Sequence, residues 1–216
     1  MGLSRWFKSD AQAPTGEPVV MSAAQAVAAV EAHLADALVL APAGAGPAWA
    51  LAAVEALWRQ TAPGPLNAHS PREALATLLG LSLTGQRGAA VVGTESWSGV
   101  RELLQSAAAQ GAPLVLHAVL TAGPAGGVHD AWQALEGTGA VQFLASDAQS
   151  AADLTLVARR VAEENLLPVV VGQHPFSAGC LEPLRLPTLA QVHAFLGLPE
   201  ERIPTPTPAY GSSSSN

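Results

Sequence analysis

The residues able to do acid, base or metal chemistry are few and scattered. Six histidines, His33, His69, His117, His129, His174 and His193, show neither HxH nor HxxxH spacing, so no two share a strand edge or a helix face as a metal site requires. Cys180 is the single cysteine, which excludes an internal disulfide and any cysteine-held metal built by this chain alone. No G-x-G-x-x-G follows a strand-like run, and neither a Walker sequence nor a G-x-S-x-G elbow occurs, so nucleotide cradle and serine nucleophile both lack their motif. Three segments remain: Ser70-Pro71-Arg72-Glu73, the polar loop Thr94-Glu95-Ser96-Trp97-Ser98, and His129-Asp130. In the first, Ser at the N-cap, Pro at the first helical position and Glu at the third are a helix start, and that role accounts for the acid. His117 lies in an apolar run and reads as a hydrogen-bonded core residue.

The elements that would position these residues alternate regularly. Ser22 to Gln25 has capping-box spacing and opens an Ala/Val-rich helix to about Leu34. Ala37 to Leu40 is a short buried strand, followed by a Gly/Pro loop, Ala41 to Pro47, and a helix to about Gln60. A helix from Ser70 to about Thr84, a strand at Ala89 to Val92, a helix around Ser98 to Gln110 and a strand at Pro113 to Leu120 come next. A Gly-rich loop, Ala122 to Gly127, precedes a strand at Val141 to Ala145. Ser146 to Gln149 then caps a long helix to about Asn165, with Ala151, Leu154, Val157, Ala158 and Val161 on its apolar stripe and Arg159, Arg160, Glu163 and Glu164 opposite. Leu167 to Val171 is the last buried strand. Continuously apolar strands alternating with helices predict an α/β fold, a mainly parallel sheet with helices on both faces.

That places the α/β domain at residues 21–176. Residues 1–20 read as a flexible tail, 177–203 as a Pro-rich arm with one short helix from Thr188, and 204–216 as a flexible linker or tail. Charged residues are 12% of the chain against 49% hydrophobic, about half the roughly 25% charged share of soluble domains. Weakly polar surface of this extent implies a protein partner. With net charge −7, ten Lys and Arg and no basic run, the chain lacks the footprint that nucleic acid demands. Its longest uncharged stretch, Ala37 to Val54, is cut by Pro42, Gly44, Gly46 and Pro47, so no transmembrane span is expected. One cysteine and no disulfide framework point to a reducing cytoplasm.

Several runs, in order, resemble the amino-terminal, pyrimidine-binding domain of the pyruvate:ferredoxin (2-oxoacid:acceptor) oxidoreductases. Gly80-Leu-Ser-Leu-Thr-Gly85-Gln-Arg87 is similar to that family's I-G-A-x-x-A-G-x-R helix end, and Pro113-Leu-Val-Leu-His117 to its P-x-V-x-H strand. Thr138-Gly139, Leu144-Ala-Ser146 and Asp153-Leu-Thr-Leu-Val-Ala158 look like its T-G, L-A-S and D-L-A-L-x-A run. The similarity spans roughly residues 22–185.

The resemblance implies a thiamin-diphosphate-type pyrimidine domain, in which a glutamate activates the cofactor's ring and a Thr and an Arg hold the 2-oxoacid. Carried over by position, the glutamate falls at Pro71, the Thr at Gly44 and the Arg at Thr121, so all three depart. Glu73 stands two residues from the glutamate's place, a turn of roughly 200° round the helix. The Thr94–Ser98 loop replaces a Gly-rich turn beside the cofactor, and either fills its space or forms a new polar pocket. His129-Asp130 resembles the family's H-S-D turn and carries a structural hydrogen bond or a ligand contact. The Gly-Asp-Gly segment and following Asn of a magnesium-bridged diphosphate site are absent. The expectation is a non-catalytic subunit or module of a redox complex, serving assembly or docking and binding no cofactor by itself. Two alternatives stand beside it. One is an enzyme fragment that shares a thiamine diphosphate and magnesium site with another chain; the other is a small-molecule binding domain. Partners are proteins, as subunits of a redox complex or copies of this chain.

Overall fold

The computed structural model describes residues 16, 18–41, 52, 54–56, 58, 64–94, 97, 99–121 and 127–197. Strands β1 (Pro18–Met21), β2 (Ala37–Ala41), β3 (Leu66–Asn67), β4 (Gly88–Gly93), β5 (Val115–Val119), β6 (Val141–Ala145), β7 (Val169–Gln173) and β8 (Glu182–Arg185) alternate with helices. These are α1 (Ala23–Glu31), α2 (Pro71–Leu83), α3 (Val100–Ala109), α4 (Val128–Gln133), α5 (Ala148–Asn165), α6 (Pro175–Gly179) and α7 (Leu189–Leu196). Six strands form one parallel sheet in the order β3-β2-β4-β5-β7-β6. The expected α/β architecture holds, and its cause is visible in β4, β5 and β7: every residue is buried, as strands covered on both faces require.

Alternate residues of these strands feed two cores. Val39, Val92, Leu116, Ala118 and Val170 pack with Leu75 and Leu78 of α2 and Leu104 of α3. Leu38, Leu40, Val91 and Val119 face α1 through Ala24 and Ala28, while Val115, Val169 and Val171 face α5 through Ala158 and Ala162. Small residues on these helices let them lie close to the sheet. Gly172 of β7 serves the same end, since a Cβ there would stand 2.5 Å from Cζ3 of Trp132.

The capping box at Ser22 forms in full, as does the one joining Thr188 to Gln191. The α5 cap is corrected by one residue. Asp147, not Ser146, is the N-cap, accepting from Ser150 N at 2.7 Å, while the Ser146 hydroxyl donates to Asp147 Oδ2. A carboxylate is the stronger acceptor and takes the position facing the helix N–H groups.

The chain ends also differ from expectation. Residues 18–20, read as tail, begin β1, which pairs antiparallel with β8 inside the segment read as an irregular arm. Val19, Met21 and Leu184 turn inward beneath this ribbon. Its two strands are some 160 residues apart in sequence, so no local pattern announces the pairing. The two-residue edge strand β3 was likewise invisible to periodicity. Of the expected helix ending near Gln60, the described residues 52, 54–56 and 58 are helical.

Candidate functional site

In a parallel sheet the crevice outside the carboxyl ends of the strands is where a ligand or substrate is met. Here β4 ends at Gly93 and β5 at Val119, and the two threonines that follow close on each other. Thr121 N donates to Thr94 Oγ1 at 2.8 Å, and the two hydroxyl oxygens stand 3.2 Å apart. Thr94 N also donates to Val119 O, and Leu120 N to Gln173 O, so the ends of β4, β5 and β7 are knitted together. Thr121, one of the three positions singled out by sequence, is thus committed to Thr94.

Helices start along this rim, and their caps absorb most of its acids. Pro71 is buried at the first position of α2, behind the N-cap Ser70, whose Oγ accepts from Glu73 N at 3.1 Å. Glu73 is exposed, and its carboxylate accepts from His69 N at 2.8 Å, one residue before the Ser70 N–H that the capping-box pattern predicts. Asp130 accepts from Gly127 N at 2.7 Å and opens α4. Asp147 opens α5, and hydrogen bonds, chiefly from the Ser150 backbone, hold its carboxyl below its ordinary value. Gly44, Glu95, Ser96, Ser98 and the His129 side chain lie outside the described residues.

Three more side chains stand at these strand ends: Arg72 and Trp97 fall inside segments the sequence marked, and Gln173 does not. Arg72 is exposed and makes no hydrogen bond or ion pair among the described residues; its stem lies against Gly99, the positive-φ N-cap of α3, where any Cβ would collide with Arg72 Cδ. Among the described residues, Trp97 buries its indole N–H without a partner, and Gln173 is fully buried with neither amide atom bonded. Buried polar groups without partners are rare in folded chains. A glutamine closing an otherwise apolar strand was the available signal.

The ionisable residues that do converge lie deeper, on the α1 and α5 face. Glu31 accepts from His117 Nε2 at 2.8 Å and from Arg159 Nη2 at 2.8 Å, and Arg159 Nη1 donates to Gly88 O at 2.9 Å. All three side chains are fully enclosed. Burial alone would raise the Glu31 carboxyl, but Arg159 and His117 together hold it below its ordinary value. This corrects the reading of Arg159 as part of the polar face of α5: it points inward because Glu31, a lone acid on a helix of Ala and Val, needs a cation there. Nearby, Arg87 forms a two-pronged pair with Glu163 at 2.8 and 2.9 Å. His117 is buried as expected, with Nε2 bonded and Nδ1 unpartnered. Among the described residues no three His, Cys, Asp or Glu side chains are grouped to hold a metal ion, and no helix is long and apolar enough to cross a membrane.

Comparison with known proteins follows the same lines. A family model described as pyruvate flavodoxin/ferredoxin oxidoreductase, thiamine diP-bdg, matches residues 56–208. The pyruvate synthase subunit PorA of Pyrococcus abyssi (strain GE5 / Orsay) is 33% identical over 141 residues, 61% of this chain and 35% of that protein. Among solved structures, the 2-oxoglutarate:ferredoxin oxidoreductase from Magnetococcus marinus, with 2-oxoglutarate, coenzyme A and succinyl-CoA bound, superposes with a TM-score of 0.66 at 17% identity. It covers 81% of this chain and 32% of its own. The chain therefore spans about a third of the length of these relatives.

Proposed function

The chain belongs to the pyruvate flavodoxin/ferredoxin oxidoreductase, thiamine-diphosphate-binding family, and from that premise we propose that it is a non-catalytic module of an oxidoreductase complex, its domain kept for assembly and docking. The observation that carries this reading is Pro71. The glutamate expected to activate the cofactor's ring falls on a residue with no acid, buried at the start of α2. General acid or base catalysis contributes on the order of 10²–10⁴ in rate, so a site without its acid turns over little.

The surroundings support the same reading. Thr121, where the substrate arginine falls, is held by Thr94 and offers no cation. Glu73 is two residues away, exposed and bonded to His69 N. The described residues at the strand ends therefore do not fit an activated thiamine ring. The Gly-Asp-Gly segment and following Asn that would hold a diphosphate and its magnesium do not occur in these 216 residues. The low charge density favours a protein partner over nucleic acid, and the free Cys180 suits a reducing cytoplasm.

Calorimetric titration of the chain with thiamine diphosphate and Mg²⁺ tests this reading. No heat of binding is expected at micromolar concentration, and none of the pyruvate-dependent reduction of an acceptor that a complete enzyme shows. Micromolar affinity in the chain alone would overturn the non-catalytic reading.

A further inference from the structure

The six-stranded sheet ends on one side at β6, and among the described residues no strand pairs with that edge. Val141 N donates to Pro168 O at 3.0 Å, so by the alternation of a parallel ladder Val141, Phe143 and Ala145 bond to β7 while Gln142 and Leu144 turn their N–H and C=O outward. Those outward groups have no backbone partner among the described residues. Natural edges are usually blunted by charge, proline or a bulge. The run Val-Gln-Phe-Leu-Ala carries no charge and no proline, and Leu144 is 51% exposed.

The helix beside this edge is unfinished in the same direction. Leu154, Val157 and Val161, at i, i+3 and i+7 of α5, form an apolar stripe that the fold only partly covers; Leu154 and Val161 pack against the same core, through Ala158 and Ala162, as Val141 and Phe143 of β6. The charged residues Asp153, Arg160 and Glu164 flank this stripe rather than interrupt it.

We infer that two copies of this chain pair through β6 and α5 about a two-fold axis, β6 against β6 in antiparallel register, extending the sheet from one copy into the other. Identical edges can satisfy each other's outward groups only in this isologous way. The sequence fits the symmetry. An axis passing near Val157 sets Val157 against itself and Leu154 against Val161 of the other copy. It also brings Asp153 to the level of Arg160, whose guanidinium already bonds Glu164 Oε1 at 2.8 Å and Phe195 O at 3.2 Å within its own chain. The face is about 27 Å long, from eighteen helical residues, and roughly 20 Å high. That is on the order of 500 Å² in projection, somewhat below the roughly 600 Å² per partner at which specific interfaces begin. The pairing needs no turnover and no cofactor, so it stands or falls apart from the function proposed above.

Sedimentation or light scattering of the 216-residue chain at micromolar concentration should give twice 21.9 kDa. Val157→Asp sets like charges across the axis and should raise the dissociation constant by about a hundredfold or more. Gln142→Pro removes an outward N–H without breaking a bond to β7 and should also give monomer. Leu144→Lys charges the edge and serves if either variant fails to fold, which circular dichroism reports. Val20→Asp, at a 64% exposed residue on the β1–β8 ribbon, should leave the dimer intact. A monomeric wild type, a dimer that survives the folded edge variants, or one lost only with Val20→Asp overturns the inference.

Discussion

Two polar regions sit within one sheet's length of each other and are built on opposite terms. On the α1 and α5 face, Glu31, His117 and Arg159 are sealed from water and joined by 2.8 Å contacts. At the strand ends, where the family is expected to do chemistry, the polar groups are threonine hydroxyls and helix-capping carboxylates, with Arg72 left exposed. Charge in this domain is concentrated where it holds helices to the sheet and is thin where a substrate would be met. Packing of α1, α5 and β5 depends on the triad and does not depend on the rim.

The strongest way to break this comparison is Glu31→Gln. It leaves the Arg159 charge buried and uncompensated, and losing one partner of a buried pair typically costs about 3–5 kcal/mol. Urea unfolding should show a loss in that range; a loss below 1 kcal/mol would mean the triad behaves like a surface pair. The pH dependence carries the sign of the effect. Because the Glu31 carboxyl is held below its ordinary 4.5, its contribution is complete above that pH and is lost as the pH falls through the lower folded value. Wild-type stability should drop on the acid side of 4.5, and Glu31→Gln should flatten that limb.

Gly172→Ala is the next effect in size. Its methyl group would meet the Trp132 ring at 2.5 Å, and overpacking of this kind costs roughly 1–3 kcal/mol. Near-ultraviolet dichroism from the displaced indole should change with it.

The smallest effects fall on the rim, and they sharpen the comparison. Ser70→Ala removes the acceptor for Glu73 N and should cost about 1 kcal/mol. Pro71→Glu restores an acid to the family's position and should give no cofactor-dependent turnover, since Thr121 still supplies no cation. Turnover in that variant, with any missing diphosphate-binding subunit supplied, would show that one residue separates the rim from a working site.

Much of the architecture was legible because it rests on local rules. The apolar runs at Ala89–Val92 and Val141–Ala145 needed only length and composition to be read as strands, and Ser22–Gln25 and Thr188–Gln191 only their spacing to be read as caps. The site was less legible. The resemblance drew attention to Pro71 and Thr121, but sequence could not say that Thr121 turns to Thr94, that Glu73 reaches His69, or that Gln173 is enclosed. Each depends on a neighbour brought in from another strand or turn.

What the sequence determined by itself was the alternation of strands and helices, the parallel sheet it entails and the kinship carried by ordered motifs, all of which follow from periodicity and chain order. What only the tertiary structure decided was which charges lie inside. Arg159 has the helical address of a solvent residue and is buried because Glu31, 128 positions away, is buried opposite it. The β1–β8 ribbon and the β6 edge, unpaired among the described residues, were settled in the same way, by which distant segment arrives to cover a surface. Local pattern encodes how a residue is oriented on its own element; burial depends on the element packed against it, and that is a property of the folded chain.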